Sequence, residues 1–142
     1  MKTQEIHIKH LIYLLGAILL LISCKKDDSE DAMVKTGNWT GTGISFVVNG
    51  SPLKISKLEF AYSGHAGGSL CSFDYESTAS FAQVTEISGN AFTADINTFN
   101  ISGNFTNDTI AEIEISWTNY DSNCDANYTG NKIYIAHYQP IK

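Results

Sequence analysis

The chain has 142 residues, enough for one ordinary domain and too few for a doubly wound nucleotide-binding fold or a (β/α)₈ barrel. Its nine basic residues are all lysine, they face 15 acidic residues, and the net charge is −6. This balance disfavours nucleic acid as a partner, because nucleic-acid binding needs a basic face.

The first 23 residues have the organisation of an export signal. Lys2 and Lys9 make the start positive, and residues 11–22 form an uncharged run of 12 mainly aliphatic residues. A membrane-spanning helix needs about 20 apolar residues, whereas the apolar segment of a signal peptide is shorter. The sequence therefore predicts a signal peptide over residues 1–23, and removing these 23 from the 142 leaves a mature chain of 119 residues.

The signal ends in Leu21-Ile22-Ser23-Cys24, which is an aliphatic, a variable and a small residue followed by cysteine. This segment resembles the lipobox of bacterial lipoproteins. The resemblance implies cleavage before Cys24, a diacylglyceryl thioether on its sulfur and an acylated (palmitate-type) amino terminus. Two or more acyl chains anchor a protein stably, so the implied partner is a membrane, reached through the lipid on Cys24.

Residues 24–36 are predicted to form a flexible tether. The segment from Lys25 to Asp31 is charged or polar throughout and has no apolar side chain that could order it. Within it, Lys26-Asp27-Asp28 resembles the export signal that follows the lipidated cysteine in surface lipoproteins of the Bacteroidota. That resemblance implies an outer-membrane protein that faces the cell exterior.

Residues 37–142 form the predicted folded domain, and their hydrophobic pattern has a period of two. The cleanest predicted strand is 109–120, where one face is apolar (Ala111, Ile113, Ile115, Trp117) and the other polar (Glu112, Glu114, Ser116, Thr118). One buried and one wet face is typical of an antiparallel sheet. In 53–62 the pattern changes phase, which predicts a β-bulge near Ser56-Lys57.

Turn signals separate these runs, among them Asn49-Gly50-Ser51-Pro52, a glycine-rich loop over 64–69, and Thr106-Asn107-Asp108. No stretch has a sustained helical period with caps. About eight short strands at intervals of 8–12 residues predict an all-β fold, an antiparallel two-sheet sandwich, with a small lipocalin-like β-barrel as the alternative.

The order of short motifs resembles a small extracellular β-sandwich domain of bacterial secreted proteins. The matching segments are Gly37-Asn38-Trp39-Thr40-Gly41, Ile44-Ser45-Phe46-Val47-Val48, Ile87-Ser88-Gly89-Asn90-Ala91-Phe92, Ile101-Ser102-Gly103-Asn104-Phe105, the cysteines at 71 and 124, and Tyr134-Ile135-Ala136. The last segment departs from the family, which often has Trp where this chain has Tyr134. The resemblance implies the fold and a disulfide but no particular activity. The opening Gly-x-Trp is also similar to that of lipocalins, which supports the barrel alternative.

Three cysteines are present, and lipidation of Cys24 leaves the pair Cys71 and Cys124. An exported chain meets an oxidising compartment, so we expect these two to form a disulfide.

Oxygen-bearing side chains alternate around Cys124, at Asp121, Asn123 and Asp125, as they do in calcium-binding loops. The segment departs from the EF-hand pattern, because Ala126 replaces the glycine and Lys132 stands where the bidentate glutamate should be. A polar loop beside a disulfide is the alternative interpretation. No motif for a nucleophilic, metal-dependent or phosphate-binding site is present, so we expect no catalytic residue and no cofactor.

Tyr120 and Tyr128 flank the same loop and are the candidates for an exposed aromatic platform that binds a sugar, although tyrosine is also simply a good strand residue. Asp108-Thr109-Ile110 resembles the O-glycosylation acceptor of the Bacteroidota, which makes Thr109 a candidate for modification.

Together these features predict a surface lipoprotein whose non-catalytic β domain binds a glycan or another envelope protein. Two alternatives are a lipocalin-like carrier of a small apolar ligand and a small hydrolase. The oligomeric state is left open by the sequence.

Overall fold

The computed structural model of the chain describes residues 34–68, 71–122 and 124–140. The signal peptide, Cys24 and the Lys26-Asp27-Asp28 segment lie outside these residues. Within the described part there are eight strands and no helix, hence no helix long and apolar enough to cross a membrane. The all-β prediction is confirmed.

The strands follow one another along the chain with short connections. They are β1 (Gly37–Gly41), β2 (Ile44–Asn49), β3 (Lys54–Gly67), β4 (Ser72–Glu86), β5 (Ala91–Ile96), β6 (Phe99–Phe105), β7 (Ile110–Asp121) and β8 (Ala126–Gln139).

All eight strands belong to one antiparallel sheet with the order β4-β3-β2-β1-β8-β7-β6-β5. The sheet is continuous because β1 pairs with β2 on one side and with β8 on the other. The two separate sheets of the predicted sandwich are therefore not found. Instead, the single sheet curls, so that different parts of its apolar face pack against each other and form the core.

The inner face carries the core that the period of two predicts. Trp39 is fully buried and packs on Phe46 and Phe105, with ring centroids 5.9 and 5.0 Å apart. Farther along the same face, Phe60 meets Phe99 at 5.2 Å. These contacts join β1, β2 and β3 to β6, so residues far apart in the sequence meet across the curl.

The predicted bulge is confirmed. Between the pairs Ser45↔Glu59 and Val47↔Ser56, β3 has one more residue than β2, and Lys57 has a φ of 49°. This extra residue places Ile55 and Leu58, which have opposite parity in the sequence, in the same core.

The glycine-rich segment differs from its prediction. Gly64 to Gly67 continue β3 and pair with β4 instead of forming a loop. Gly64 suits this strand because the Tyr75 side chain lies against its backbone, with the hydroxyl oxygen 2.5 Å from where a β-carbon would be.

Candidate functional site

Two long hairpins extend beyond two short ones at one end of the molecule. The β1–β2 turn ends beside β3, where the amide of Ala61 donates to the carbonyl of Gly43 (2.9 Å). The β5–β6 turn ends beside β7, where the amide of Thr118 donates to the carbonyl of Thr98 (3.1 Å). Of the described strands, only β3–β4 and β7–β8 continue beyond these levels, and we call the region where they meet the distal end.

A disulfide joins the two long hairpins at the distal end. Cys71 precedes β4 and Cys124 precedes β8, and their Cα atoms are 5.1 Å apart. The predicted Cys71–Cys124 pairing is confirmed. The bridge lies beyond the β1–β2 and β5–β6 turns. It therefore constrains the part of the two long hairpins that the shorter strands do not reach.

An inner aromatic cluster fills the space between the long hairpins. It consists of Tyr62, Phe73 and Tyr75 from β3–β4 and Trp117 and Tyr128 from β7–β8. The Trp117 indole N–H donates to the Tyr75 hydroxyl at 2.8 Å, and the Tyr75 and Tyr128 rings are 4.8 Å apart. Trp117 is buried, as its place on the apolar face of the strand predicted over 109–120 indicates.

Tyr128 belongs to this inner cluster. Its hydroxyl accepts a hydrogen bond from the side-chain amide of Asn119 (2.7 Å), and the side chain is half-buried. Partial burial is the main cause that raises the pKa of Tyr128 above its ordinary value.

Tyr120 lies on the opposite, outer face of β7 and is 53% exposed. Its hydroxyl donates to a carboxylate oxygen of Asp125 at 2.9 Å, and this hydrogen bond is the main cause that raises the pKa of Tyr120. The ring is therefore exposed and held in place at the same time. Tyr120 and Tyr128 do not share a surface, so a platform made of both is not present.

The oxygen atoms of the calcium candidates have structural partners within the loop. Asp121 accepts a hydrogen bond from the amide of Cys124 (3.3 Å), and Asp125 accepts the one from Tyr120. Asn123 lies outside the described residues. Among those that are described, no group of three or more His, Cys, Asp or Glu side chains is placed to hold a metal ion.

Thr109 lies in the exposed β6–β7 turn, at the other end of the molecule from the disulfide. Its hydroxyl donates to the side-chain oxygen of Asn107 at 2.9 Å, and its amide donates to the same atom at 2.8 Å. The nearby ion pair between Lys35 and Asp108 (2.6 Å) ties this turn to the residues that precede β1.

A polar depression lies on the outer face of β5, β6 and β7, and no single segment of the sequence indicates it. Its volume is about 330 Å³, and its polar lining consists of Thr93, Asp95, Asn100, Ser102, Glu114 and Ser116. The polar parity of these three strands is the signal that could have indicated it. The sequence does not reveal the strand register, which places the polar residues of β5, β6 and β7 side by side.

Comparison of the chain with protein-family models, with curated proteins and with solved structures finds no significant match.

Proposed function

We propose that this protein is a lipid-anchored surface lipoprotein whose β domain binds a glycan without catalysing a reaction. The observation that carries the proposal is Tyr120, an aromatic ring that is exposed yet fixed beside a carboxylate at the distal end.

A fixed, exposed ring suits sugar binding for two reasons. The apolar C–H face of a sugar ring packs on an aromatic face, while neighbouring carboxylates and amides accept and donate hydrogen bonds to its hydroxyls. Because Asp125 already restrains Tyr120, less side-chain freedom remains to be lost when a ligand binds.

The position of this ring also suits display away from a membrane. Gly37, where β1 begins, pairs with Val48, and Val48 pairs with Ile55 near the start of β3. From there β3 runs to Gly67, a length of about 40 Å at about 3.3 Å per residue. The chain therefore enters this domain at the end opposite to Tyr120.

Glycan-array binding by the mature chain with Cys24→Ala tests the proposal. We expect the protein to bind at least one glycan class, and Tyr120→Ala to weaken that binding about tenfold through loss of the stacking surface. Ile135→Ala is the matched control, since it also removes an exposed apolar side chain from the outer face. An array without signal, or equal binding by the Tyr120→Ala variant, would contradict the proposal.

The strand order favours a second candidate, a lipocalin-like carrier. Successive strands neighbour one another and β8 returns to β1, as in up-and-down barrels, although β4 and β5 are the two edges of the sheet. The inner face, however, is occupied by packed rings such as Trp39, Phe46 and Phe105. Stoichiometric binding of an apolar fluorescent probe would favour the carrier over the glycan-binding domain.

A further inference from the structure

The floor of the outer polar depression is a regular array of hydrogen-bonding side chains. Ser102 on β6 pairs with Thr93 of β5 and with Glu114 of β7. In the next row, Asn100 of β6 pairs with Asp95 and Ser116. Paired residues on one face of a sheet lie about 5 Å apart, so hydroxyl, amide and carboxylate groups form a compact polar grid.

This grid continues along β7 to Tyr120. Ser116, Thr118 and Tyr120 alternate with inward-facing residues and so lie on the same outer face. The four residue steps from Ser116 to Tyr120 span about 14 Å at about 3.4 Å per residue. That distance exceeds the width of a single sugar ring, so one ligand must be extended to contact both the polar depression and the aromatic ring.

The charged side chains that line the depression or lie beside Tyr120 are acidic. Residues 58–131 contain no lysine or arginine, and they contain all ten acidic residues of residues 32–142. Asp95 and Glu114 line the depression, and Asp121 and Asp125 lie beside Tyr120. A ligand that carries carboxylate or sulfate groups would be repelled here, whereas a neutral or amine-bearing ligand would not.

We propose that Tyr120 and the polar depression on β5, β6 and β7 form one extended site for a neutral or amine-bearing oligosaccharide. The inference rests on the proposed glycan-binding function and specifies its ligand class. One sugar ring stacks on Tyr120, and the following rings lie over Thr118 and Ser116 and hydrogen-bond to the grid. Glu114 is held for this role by the side-chain amide of Asn131, which donates to it at 2.6 Å.

Calorimetric titration of the mature chain with oligosaccharides of increasing length tests the extended site. The probes are cello-oligosaccharides (neutral), chitosan oligosaccharides (amine-bearing) and oligogalacturonides (carboxylate-bearing). We expect the affinity for the neutral or the amine-bearing series to rise about tenfold from the shortest to the longest member, as further hydrogen bonds form. The carboxylate-bearing series should not bind.

Three variants separate the parts of the site. Tyr120→Ala should weaken binding of short and long members alike, whereas Asn100→Ala should weaken only the long ones. Glu114→Gln keeps an oxygen that can accept from Asn131 but removes the charge, so it should selectively weaken the amine-bearing series if that series binds. Glu59→Gln, an exposed carboxylate on β3, is its control and should leave every affinity unchanged.

Failure of the extended site is distinguishable from failure of the proposed function. Length-independent binding that depends on Tyr120 alone would overturn the extended site and leave the glycan-binding function in place. Binding of the carboxylate-bearing series as tightly as the others would overturn the charge selection. If none of the three series binds, this inference is wrong, and the glycan array decides separately about the function.

Discussion

Tyr134 is a core residue whose hydroxyl makes a hydrogen bond to the backbone of another strand. Only 2% of it is exposed, and its hydroxyl donates to the carbonyl of Ala61 at 2.6 Å. The bond joins β8 to β3 at the level of the turn where β1 ends and β2 begins. Burial raises the pKa of Tyr134 to about 12, because the phenolate would lose its hydration.

This raised pKa predicts a loss of stability at alkaline pH. The contribution is fully present below pH 10, the ordinary tyrosine value, and is lost as the pH rises towards 12. Over that window the unfolded chain releases the proton and the folded chain does not, so the free energy of unfolding should fall by about 2–3 kcal/mol. Urea unfolding at about pH 9, below this window, and at about pH 11, midway through it, should show roughly half of the fall.

Tyr134→Phe is the test of that assignment. The variant should be less stable near neutral pH by about 1 kcal/mol, since it lacks the hydrogen bond to Ala61. Its stability should then decline less steeply above pH 10 than that of the natural chain. An equal alkaline slope for the two proteins would show that Tyr134 is not the group responsible.

Gly41 illustrates a residue whose identity depends on the pairing of distant strands. A β-carbon at this position would overlap the carbonyl oxygen of Ile135, on β8. In the sequence Gly41 is only a member of the Gly-x-Trp-x-Gly segment, and the close approach of β8 gives it a physical role.

At the scale of elements, the two long hairpins depend on their covalent link. Among the described strands, β4 pairs only with β3, because β4 and β5 are the two edges of the sheet and do not pair with each other. Across the distal end, the disulfide and the aromatic cluster hold β3–β4 against β7–β8. We therefore expect the distal end to be the region most affected by reduction.

Removing the disulfide should lower the free energy of unfolding by about 4 kcal/mol, the chain-entropy value for cysteines 53 residues apart. Urea unfolding with and without a reductant measures the change, and the Cys71→Ser, Cys124→Ser double variant should match the reduced protein. The near-ultraviolet circular dichroism of Trp117 and its neighbouring tyrosines should weaken in parallel. Unfolding curves that coincide under both conditions would contradict a stabilising role for the bridge.

The sequence pattern predicted some elements closely and others poorly. The strand predicted over 109–120 is observed as Ile110–Asp121, because its strict alternation reflects one buried and one exposed face. The prediction of a glycine-rich loop over 64–69 is wrong for Gly64 to Gly67, since nothing local in the sequence shows that Tyr75 packs on Gly64. The sequence predicts the candidate site only in part. It indicates Tyr120 and the two disulfide cysteines, but the polar depression can be located only when the registers of β5, β6 and β7 are known.

At the scale of the β domain, the point where the chain enters the sheet and the proposed ligand site lie at opposite ends. Lys35 and Asp108 mark the end where the chain enters the sheet, and Cys71 and Cys124 mark the other.

Replacing Cys24 by Ala should move the protein from the membrane fraction to the soluble fraction, because a single change removes every site for the acyl chains. Fractionation followed by immunoblotting measures the distribution. Replacing Lys26, Asp27 and Asp28 together by Ala should keep the protein in the membrane fraction but reduce its labelling by antibody on intact cells. Retention of the Cys24→Ala variant in membranes would contradict the lipoprotein assignment.

The sequence alone was sufficient for the all-β class, the bulge near Ser56 and the pairing of Cys71 with Cys124. These features follow from local alternation and from cysteine number, which need no knowledge of distant contacts. Only the tertiary structure decided that the strands form one curled sheet, because β1 can pair with both β2 and β8 only when β8 returns to lie beside β1. The same curl and register separate Tyr120 from Tyr128 and place Tyr120 on the outer face that bears the polar depression, so the candidate ligand site is a property of strand pairing rather than of any single segment.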